Sequence, residues 1–243
     1  MKFVPITLKE IRQEADDCRT YLFAGPRDFT WQEGTHTHVG LAGFSDGEKP
    51  NKDLVHHYSI STLMTEGLIG ITTRIKEPMS VFKQALYHLQ PGDEVVLFKW
   101  GGRLQLRREN RPLILLSQGV GIAALRPLMK AFCEDGEGIT RITNIHVAPS
   151  GSHIFQEELE KLRKMSAPQG RELYHILCDG RQQFAESLTQ HLDSSAVYYV
   201  VGSDAFVQGC VRRLRAGGIA EDDIVLDKKE EEIAALMAAA GEA

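Results

Sequence analysis

Two hydrophobic patterns divide the chain, and they change near residue 110. Before that point, short segments alternate apolar and polar residues between turn residues such as Gly25-Pro26 and Pro91-Gly92-Asp93. This alternation is typical of half-buried strands, and short strands at this spacing predict a small antiparallel barrel. One helix is predicted among them, over residues 80–89. The predicted strands cover residues 3–9, 18–23, 36–41, 57–61, 68–75, 94–98 and 103–106.

After residue 110, apolar segments alternate with amphipathic segments of about ten residues, which predicts βαβ units and a parallel sheet. The sequence thus predicts a small β-barrel domain over residues 1–108 and an α/β domain over 109–243, which ends in a helix-like segment at 233–240. Solvated tail, ligand cover and dimer contact are the alternatives for that last segment. The predicted strands are 113–117, 142–147, 173–177, 197–201 and 224–226, and the predicted helices are 124–134, 154–165, 184–191 and 204–216.

Composition narrows the function classes. The 243 residues are 42% hydrophobic and carry a net charge of −5, which argues against a general nucleic-acid binder. No apolar stretch approaches 18 residues, so we expect no membrane span and a cytoplasmic location. The four cysteines form no C-x-x-C pair and the histidines form no compact ligand set, so we expect no metal site.

A glycine turn carries the first chemical signal. An apolar strand runs through Ser117-Gln118 into Gly119-Val120-Gly121-Ile122-Ala123-Ala124, which fits G-x-G-x-x-A. Missing Cβ atoms and a helix start at such a turn allow backbone amides to approach a pyrophosphate, although a tight turn without ligand is the alternative. The second strand of this half lacks the terminal carboxylate of an ordinary dehydrogenase, which favours a different nucleotide-binding arrangement.

A second signal lies in the barrel half. The run His56-His57-Tyr58-Ser59-Ile60-Ser61 precedes Ile71-Thr72-Thr73-Arg74. An aromatic side chain beside hydroxyl groups can stack on a flat ring and hydrogen-bond its edge. An ordinary half-buried strand is the alternative.

In this order, the motifs resemble those of the ferredoxin NADP reductase superfamily over nearly the whole chain. His56-His57-Tyr58-Ser59 is similar to the flavin motif Arg-x-Tyr-Ser of that family, with His56 at the arginine position. Ser80, followed by Pro91-Gly92-Asp93, looks like its second flavin-phosphate element. Gly202, between Val201 and Ser203, corresponds to its late Cys-Gly-Pro.

The resemblance implies a fold, a reaction and site residues. The implied reaction is hydride transfer from C4 of NADPH or NADH to N5 of a bound FAD or FMN, and onward transfer to a separate acceptor such as a ferredoxin or flavodoxin. Tyr58 and Ser59 are the implied catalytic residues. The implied cofactor-binding residues are His56, Tyr58, Ser59, Ile60, Ser61, Ile71, Thr72, Thr73, Ser80, Gly119, Val120, Gly121, Ile122, Ser150, Arg181 and Gly202.

Two other functions stay open at this stage. A flavin or ferric-chelate reductase would use the same cofactors with a diffusible small-molecule acceptor. The departures from the family pattern at His56, Val201 and Ala124 would instead suit a non-catalytic flavin-binding or nucleotide-binding regulatory module.

Overall fold

The computed structural model describes residues 2–149 and 152–241, which form two compact units, Met1–Gln105 and Leu106–Ala243. The sequence predicted the boundary after residue 108. The second unit begins earlier because Leu106 is buried and the backbone N–H of Arg107 donates a hydrogen bond of 2.8 Å to the Tyr199 hydroxyl.

The first unit is a curled six-stranded antiparallel sheet with the order β4-β3-β6-β1-β2-β5. Ile60, just after β4, forms an isolated antiparallel bridge with Ile71 of β5, which joins the two edges of the sheet. The predicted antiparallel barrel is therefore confirmed. Its strands are β1 (Val4–Ala15), β2 (Cys18–Ala24), β3 (Thr35–Gly40), β4 (Val55–Ser59), β5 (Ile69–Arg74) and β6 (Glu94–Gly102).

A short helix, α1 (Val81–Tyr87), packs on the barrel core. Ser80 is its N-cap, with a side chain that accepts a hydrogen bond from the Lys83 backbone N–H. Phe82 and Leu86, four residues apart, are buried on one face of the helix. The helix is shorter than predicted, because it ends at Tyr87 with His88 as its C-cap, and the turn at Pro91-Gly92 follows.

Two strand predictions in this unit need correction. The segment 103–106 is not a strand, although Leu104 and Leu106 are buried, because it forms no ladder with a neighbour and leads out of the barrel. Strand β1 continues to Ala15, beyond its predicted end at residue 9. Its second half is mostly polar and is held by pairing with β2 up to Ala15 and Cys18.

The second unit is a five-stranded parallel sheet with the order β11-β10-β7-β8-β9, which confirms the predicted α/β architecture. Strands β8 and β9 extend to one side of β7, and β10 and β11 extend to the other. The order therefore reverses between β7 and β10, where open α/β sheets bind ligands at the carboxyl ends of the strands. The strands are β7 (Arg111–Gln118), β8 (Ile139–Val147), β9 (Glu172–Cys178), β10 (Val197–Val201) and β11 (Ile224–Leu226).

Helices cover both faces of this sheet. The helices are α2 (Ile122–Glu134), α3 (Gln156–Ser166), α4 (Arg181–Gln190), α5 (Asp204–Ala216) and α6 (Glu230–Gly241). Helix α6 packs on α5, and its Met237 is 7% exposed against the core that α4 and α5 cover. This packing contradicts the solvated-tail interpretation, because Ile233, Leu236 and Met237 join the core of their own unit.

Membrane-spanning helices and metal-ligand clusters are both absent from the part of the chain that the structure describes. Within 2–149 and 152–241, no helix combines the length and hydropathy needed to cross a bilayer. In the same ranges, no three His, Cys, Asp or Glu side chains come together in a way that suits a metal ion.

Candidate functional site

His56 and Tyr58 lie on the same face of β4, with their ring centroids 4.7 Å apart. Both rings face Phe82 of α1, whose centroid is 5.4 Å from that of His56 and 5.8 Å from that of Tyr58. The alternation of side chains along a strand gives this arrangement, because residues two apart share a face. His56 and Tyr58 thus form an aromatic surface bordered by α1.

Hydroxyl groups continue from this surface onto β5. The Tyr58 hydroxyl donates a hydrogen bond of 3.3 Å to Thr73 Oγ1, and burial raises the pKa of Tyr58 to about 12. Thr72 Oγ1 lies 2.8 Å from Ser61 Oγ and 2.8 Å from Thr20 Oγ1. The predicted hydroxyl residues of β4 and β5 therefore come together, with Tyr58 held neutral at physiological pH.

Other predicted residues in this unit have different surroundings. Ile60 and Ile71 are 1% exposed and pack in the barrel core, so their side chains are unavailable to a ligand. Ser59 is half-buried at the end of β4, and Ser80 caps α1. Tyr58, Thr72 and Thr73 are also buried, at 8%, 5% and 4% exposure, and Ser61 is fully buried, whereas Ser59 and Ser80 keep accessible surface.

Positive charge near His56 comes from Lys83. Burial is the main reason that the pKa of His56 is lowered, and the charges of Lys83 and His38 lower it further. His57 points to the opposite face of β4, where its ring is 4.8 Å from His36 and 5.2 Å from His38. The sequence offered no signal for Lys83, because its approach to His56 depends on how α1 packs against β4.

In the second unit, the glycine turn lies at the switch point of the sheet. Gly119 has φ of 54°, a left-handed conformation that suits glycine. A Cβ on Gly121 would lie 2.8 Å from the Val201 carbonyl oxygen, and one on Gly202 would lie 2.5 Å from Phe206 Cδ1. Gly121 therefore allows the start of α2 to pack against the end of β10. Val120 and Ile122 complete the turn, with Ile122 fully buried.

A cavity of about 160 Å³ opens beside this turn, between α4 and α5. Gln118, Arg181 and Arg213 contribute its polar groups, and Phe184 and Phe206 contribute aromatic rings. Neither arginine forms an ion pair with a described carboxylate, whereas Asp179 Oδ1 is 3.0 Å from His153 Nε2. Ser150 lies outside the described residues.

Gln118 and Arg213 also line this cavity, and neither was predicted from the sequence as a site residue. Gln118 Oε1 accepts a hydrogen bond of 2.8 Å from Ser203 Oγ, which links the ends of β7 and the start of α5. Its position directly before the glycine turn was a usable signal. Arg213 gave none, because only the packing of α5 against α4 brings it to the same cavity as Arg181.

Comparison with known proteins gives one similar sequence and many similar structures. No family model matches the chain. A flavohemoprotein of Deinococcus radiodurans is 32% identical over 75 residues, which cover 30% of this chain and 18% of that protein. This chain therefore matches a small part of its curated relative.

The structural similarity extends over almost the whole chain. A ferredoxin NADP+ reductase from Neisseria gonorrhoeae, solved with FAD and NADP, has a TM-score of 0.76 at 16% identity and covers 93% of this chain and 98% of its own. A Malassezia yamatoensis flavohemoglobin with bound FAD and heme has a TM-score of 0.75 at 16% identity, over 93% of this chain and 60% of its own. The FAD/NAD-binding domain of a Vibrio cholerae nitric oxide dioxygenase has a TM-score of 0.71 at 18% identity. The similarity covers 92% of this chain and 97% of that domain.

The chain therefore has the same fold as these ferredoxin NADP+ reductase and flavohemoglobin structures.

Proposed function

We propose that the protein is a flavin-dependent oxidoreductase that takes hydride from NADPH or NADH and passes electrons to a separate acceptor. One observation carries the proposal: a single chain combines an aromatic and hydroxyl surface on its barrel with a glycine turn at the switch point of its parallel sheet. When bound, FAD and the nicotinamide nucleotide supply the hydride chemistry, and the protein positions them.

The first unit holds the flavin through its own side chains. The Tyr58 ring is 8% exposed and packs against His56 and Phe82, and its hydroxyl is fixed by Thr73, so the ring is held in one orientation at the edge of the barrel core. Ser59, half-buried at the end of β4, provides a hydroxyl group for the polar edge of the ring system. Because Tyr58 stays protonated near neutral pH, its hydroxyl acts as a hydrogen-bond donor, here to Thr73 Oγ1.

The residues present fit a flavin nucleotide in their chemistry. The ring system requires an aromatic surface with hydrogen-bonding groups at its edge, which Tyr58, Ser59 and Thr73 supply. The phosphate requires a cation without a competing carboxylate, and none of the described carboxylates pairs with Lys83.

The second unit binds the nicotinamide nucleotide at the carboxyl ends of its strands. Backbone N–H groups at the Gly119–Gly121 turn, at the start of α2, suit a pyrophosphate. Gly202 allows the end of β10 to approach Gln118 closely. In the neighbouring cavity, Phe184 and Phe206 suit an adenine ring, and Arg181 suits a phosphate.

The acceptor we propose is a ferredoxin or flavodoxin type of protein. Reduced flavin can release its electrons one at a time, which suits a one-electron carrier. Steady-state NADPH oxidation with ferredoxin or flavodoxin, compared with free FMN and ferric citrate, distinguishes this acceptor from a diffusible one. Faster turnover with either small molecule than with both proteins would assign a flavin or ferric-chelate reductase.

The identity of the bound cofactor tests the proposal directly. We expect the purified protein to be yellow and to release FAD or FMN on denaturation, which chromatography against standards identifies. A colourless protein that also fails to bind added FAD and FMN in a fluorescence titration would overturn the proposed function.

A further inference from the structure

A histidine and an aspartate join the loops that follow β8 and β9. His153, in the loop before α3, has its Nε2 atom 3.0 Å from Asp179 Oδ1. The two side chains differ in exposure, because that of His153 is 6% exposed and that of Asp179 is 64% exposed. A ligand at this edge of the sheet can therefore reach the carboxylate, while the imidazole stays covered.

This contact determines which nitrogen of His153 takes up a second proton. An ionised carboxylate only accepts hydrogen bonds, so Nε2 carries the hydrogen that His153 donates to Asp179. The second proton goes to Nδ1, a buried atom that has no hydrogen-bond partner among the described residues. Protonation of His153 thus turns the contact into an ion pair and displaces no hydrogen bond that the structure describes.

Two other histidines lie near His153, and both stay neutral. The His146 ring is 5.3 Å from the His153 ring, and burial lowers its pKa to about 3. Burial also lowers the pKa of His175, on β9, to about 4. The remaining charged groups on α2, α3 and α4 are paired or exposed: Glu158 binds Arg126, Glu160 binds Arg163 and Lys164, Lys130 binds Glu134, and Glu157, Lys161, Arg181 and Glu186 are exposed.

The place of Asp179 in the fold gives its charge a consequence for nucleotide binding. In the loops after β7, β8 and β9, it is the one carboxylate among the described residues. Open α/β sheets bind ligands at this edge, and a carboxylate there can accept a hydrogen bond from a ribose hydroxyl. The same charge repels a 2′-phosphate, the group that distinguishes NADPH from NADH.

We propose that His153 controls coenzyme choice through Asp179. With His153 protonated, the pair is neutral overall and admits a 2′-phosphate beside Arg181. With His153 neutral, the pair keeps the negative charge of Asp179 and favours the ribose hydroxyl of NADH. Imidazole changes its charge within the physiological pH range, so the preference for the phosphorylated coenzyme increases as pH falls. The inference rests on the proposed function and adds a specificity-determining residue to it.

The test uses two ligands that differ only in the 2′-phosphate. The flavin-loaded, full-length protein is titrated calorimetrically with NADP+ and with NAD+ at pH 6.0, 7.0 and 8.0. Neither oxidised nucleotide reduces the flavin, so binding is measured without turnover. The readout is the Kd for NAD+ divided by the Kd for NADP+. The phosphate itself titrates near about pH 6, so the variants are compared with wild type at each pH.

His153→Gln removes the titratable charge and keeps a neutral N–H donor for Asp179. We expect it to lower the ratio about fivefold relative to wild type at pH 6.0, as for one charge interaction near the surface. At pH 8.0 the two proteins should agree within about twofold.

Asp179→Asn tests whether His153 acts through the carboxylate. We expect this change at an exposed side chain to raise the ratio about fivefold at pH 8.0, because it removes the repulsion of the phosphate. When His153→Gln is added to Asp179→Asn, the ratio should stay within about twofold at every pH, because the carboxylate through which His153 acts is gone.

His191→Gln is the matched control. His191 is a half-buried histidine of the same unit at the end of α4, where its Nδ1 lies 2.8 Å from the Ser187 carbonyl oxygen. We expect this variant to have the wild-type ratio at all three pH values.

The outcomes separate this inference from the proposed function. A wild type that binds neither nucleotide would overturn both. Nucleotide binding with the same ratio in wild type and His153→Gln at every pH would overturn the role of His153 and leave the proposed function standing. Equal weakening of NAD+ and NADP+ would also overturn it, because His153 would then support the loop. An equal effect of His153→Gln with and without Asp179 would show that it does not act through the carboxylate.

Discussion

At the scale of single residues, we expect His56 to make flavin binding depend on pH. The residues that face it are Tyr58 and Phe82 by packing and Lys83 and His38 by charge. In the free protein the pKa of His56 is lowered, chiefly by burial, so the ring is mostly neutral at pH 7. A bound phosphate favours the protonated form and raises that pKa, which means that binding takes up a proton.

We therefore expect FAD to bind more tightly as pH falls from the raised pKa of the complex to the lowered pKa of the free protein. The gain is at most about tenfold per pH unit, because one proton is linked to binding. His56→Arg should remove most of this dependence, since arginine stays charged, and should tighten binding above neutrality. Fluorescence titrations at several pH values measure the effect. Identical profiles for both proteins would place His56 outside the site.

Gly121 has a packing role in addition to the nucleotide-binding role that the motif predicts. The missing Cβ makes room for the Val201 carbonyl oxygen, which a Cβ would approach to 2.8 Å. The Val201 carbonyl oxygen belongs to the backbone and cannot rotate away as a side chain could. The substitution Gly121→Ala must therefore shift the end of β10 or the start of α2. We expect a loss of about 1–3 kcal/mol in the free energy of unfolding.

Denaturant unfolding followed by circular dichroism measures this loss. Gly209→Ala is the control, because a Cβ there meets nothing within 4 Å and α5 is a helix. It should increase stability by roughly 0.5–1 kcal/mol, as alanine does in helix interiors. If Gly121→Ala were as stable as wild type, the close packing of the turn against β10 would be wrong.

At the scale of elements, buried polar side chains connect the central strands of the parallel sheet. Ser117 Oγ of β7 lies 2.9 Å from His146 Nδ1 of β8, and Asn144 Nδ2 lies 2.6 Å from His175 Nδ1 of β9. Burial, followed by the charge of His153, lowers the pKa of His146 to about 3 and that of His175 to about 4. Both rings are therefore neutral in the folded protein above about pH 5.

These lowered pKa values make stability depend on pH. Below about pH 6.5, His146 and His175 become protonated in the unfolded chain but stay neutral in the folded protein. The free energy of unfolding therefore falls as pH decreases toward 4. Each histidine contributes a slope of up to about 1.4 kcal/mol per pH unit. His146→Asn should make the decline shallower, while His88→Asn, at an exposed position on the barrel, should leave it unchanged.

Urea unfolding at pH 7.0, 6.0 and 5.0 provides the comparison. Equal slopes for wild type and His146→Asn would mean that His146 takes up its proton without opening the sheet.

Elements with a strong pattern were predictable, and the others depended on long-range pairing. The five parallel strands and most helices of the second unit were predicted because each is an apolar or amphipathic run between turn residues. The second half of β1 has a polar sequence, Glu10-Ile11-Arg12-Gln13-Glu14, and it forms a strand because β2 pairs with it. Residues 103–106 were predicted as a strand from their alternating leucines. These leucines are buried, but the segment pairs with no neighbouring strand.

The residues of the candidate site likewise divide into those with a local sequence pattern and those that come together only through packing. Tyr58, Thr72 and Thr73 were predictable because they lie in short recognisable motifs. Lys83 and Arg213 were not, because each reaches its neighbours through helix packing that no local pattern specifies. Ile60 and Ile71 show the reverse error, since a motif position does not reveal which face of a strand is in the core.

At the scale of the whole molecule, we expect coenzyme choice to depend on the charges that line the cavity between α4 and α5. Arg181 and Arg213 line it, and Asp179, which would repel a phosphate, is hydrogen-bonded to His153. We expect a preference for NADPH that falls about tenfold in Arg181→Ala, as for loss of one charge-assisted bond to the 2′-phosphate. The kcat/KM ratio for NADPH over NADH measures it.

Arg212→Ala is the control for that ratio, because Arg212 is exposed on the same helix as Arg213 and does not line the cavity. It should leave the NADPH preference unchanged. If Arg181→Ala also left the ratio unchanged, Arg181 would be a surface residue without a role in coenzyme choice.

The central claim is that this chain transfers hydride from a nicotinamide nucleotide to its own bound flavin. Anaerobic mixing of the flavin-loaded protein with NADPH, and separately with NADH, tests it in a stopped-flow spectrophotometer. The account predicts that flavin absorbance near 450 nm bleaches with at least one nucleotide and that the rate saturates with nucleotide concentration. A bound flavin that stays oxidised with both nucleotides, yet is bleached by dithionite, would contradict the account and identify a non-catalytic binding module.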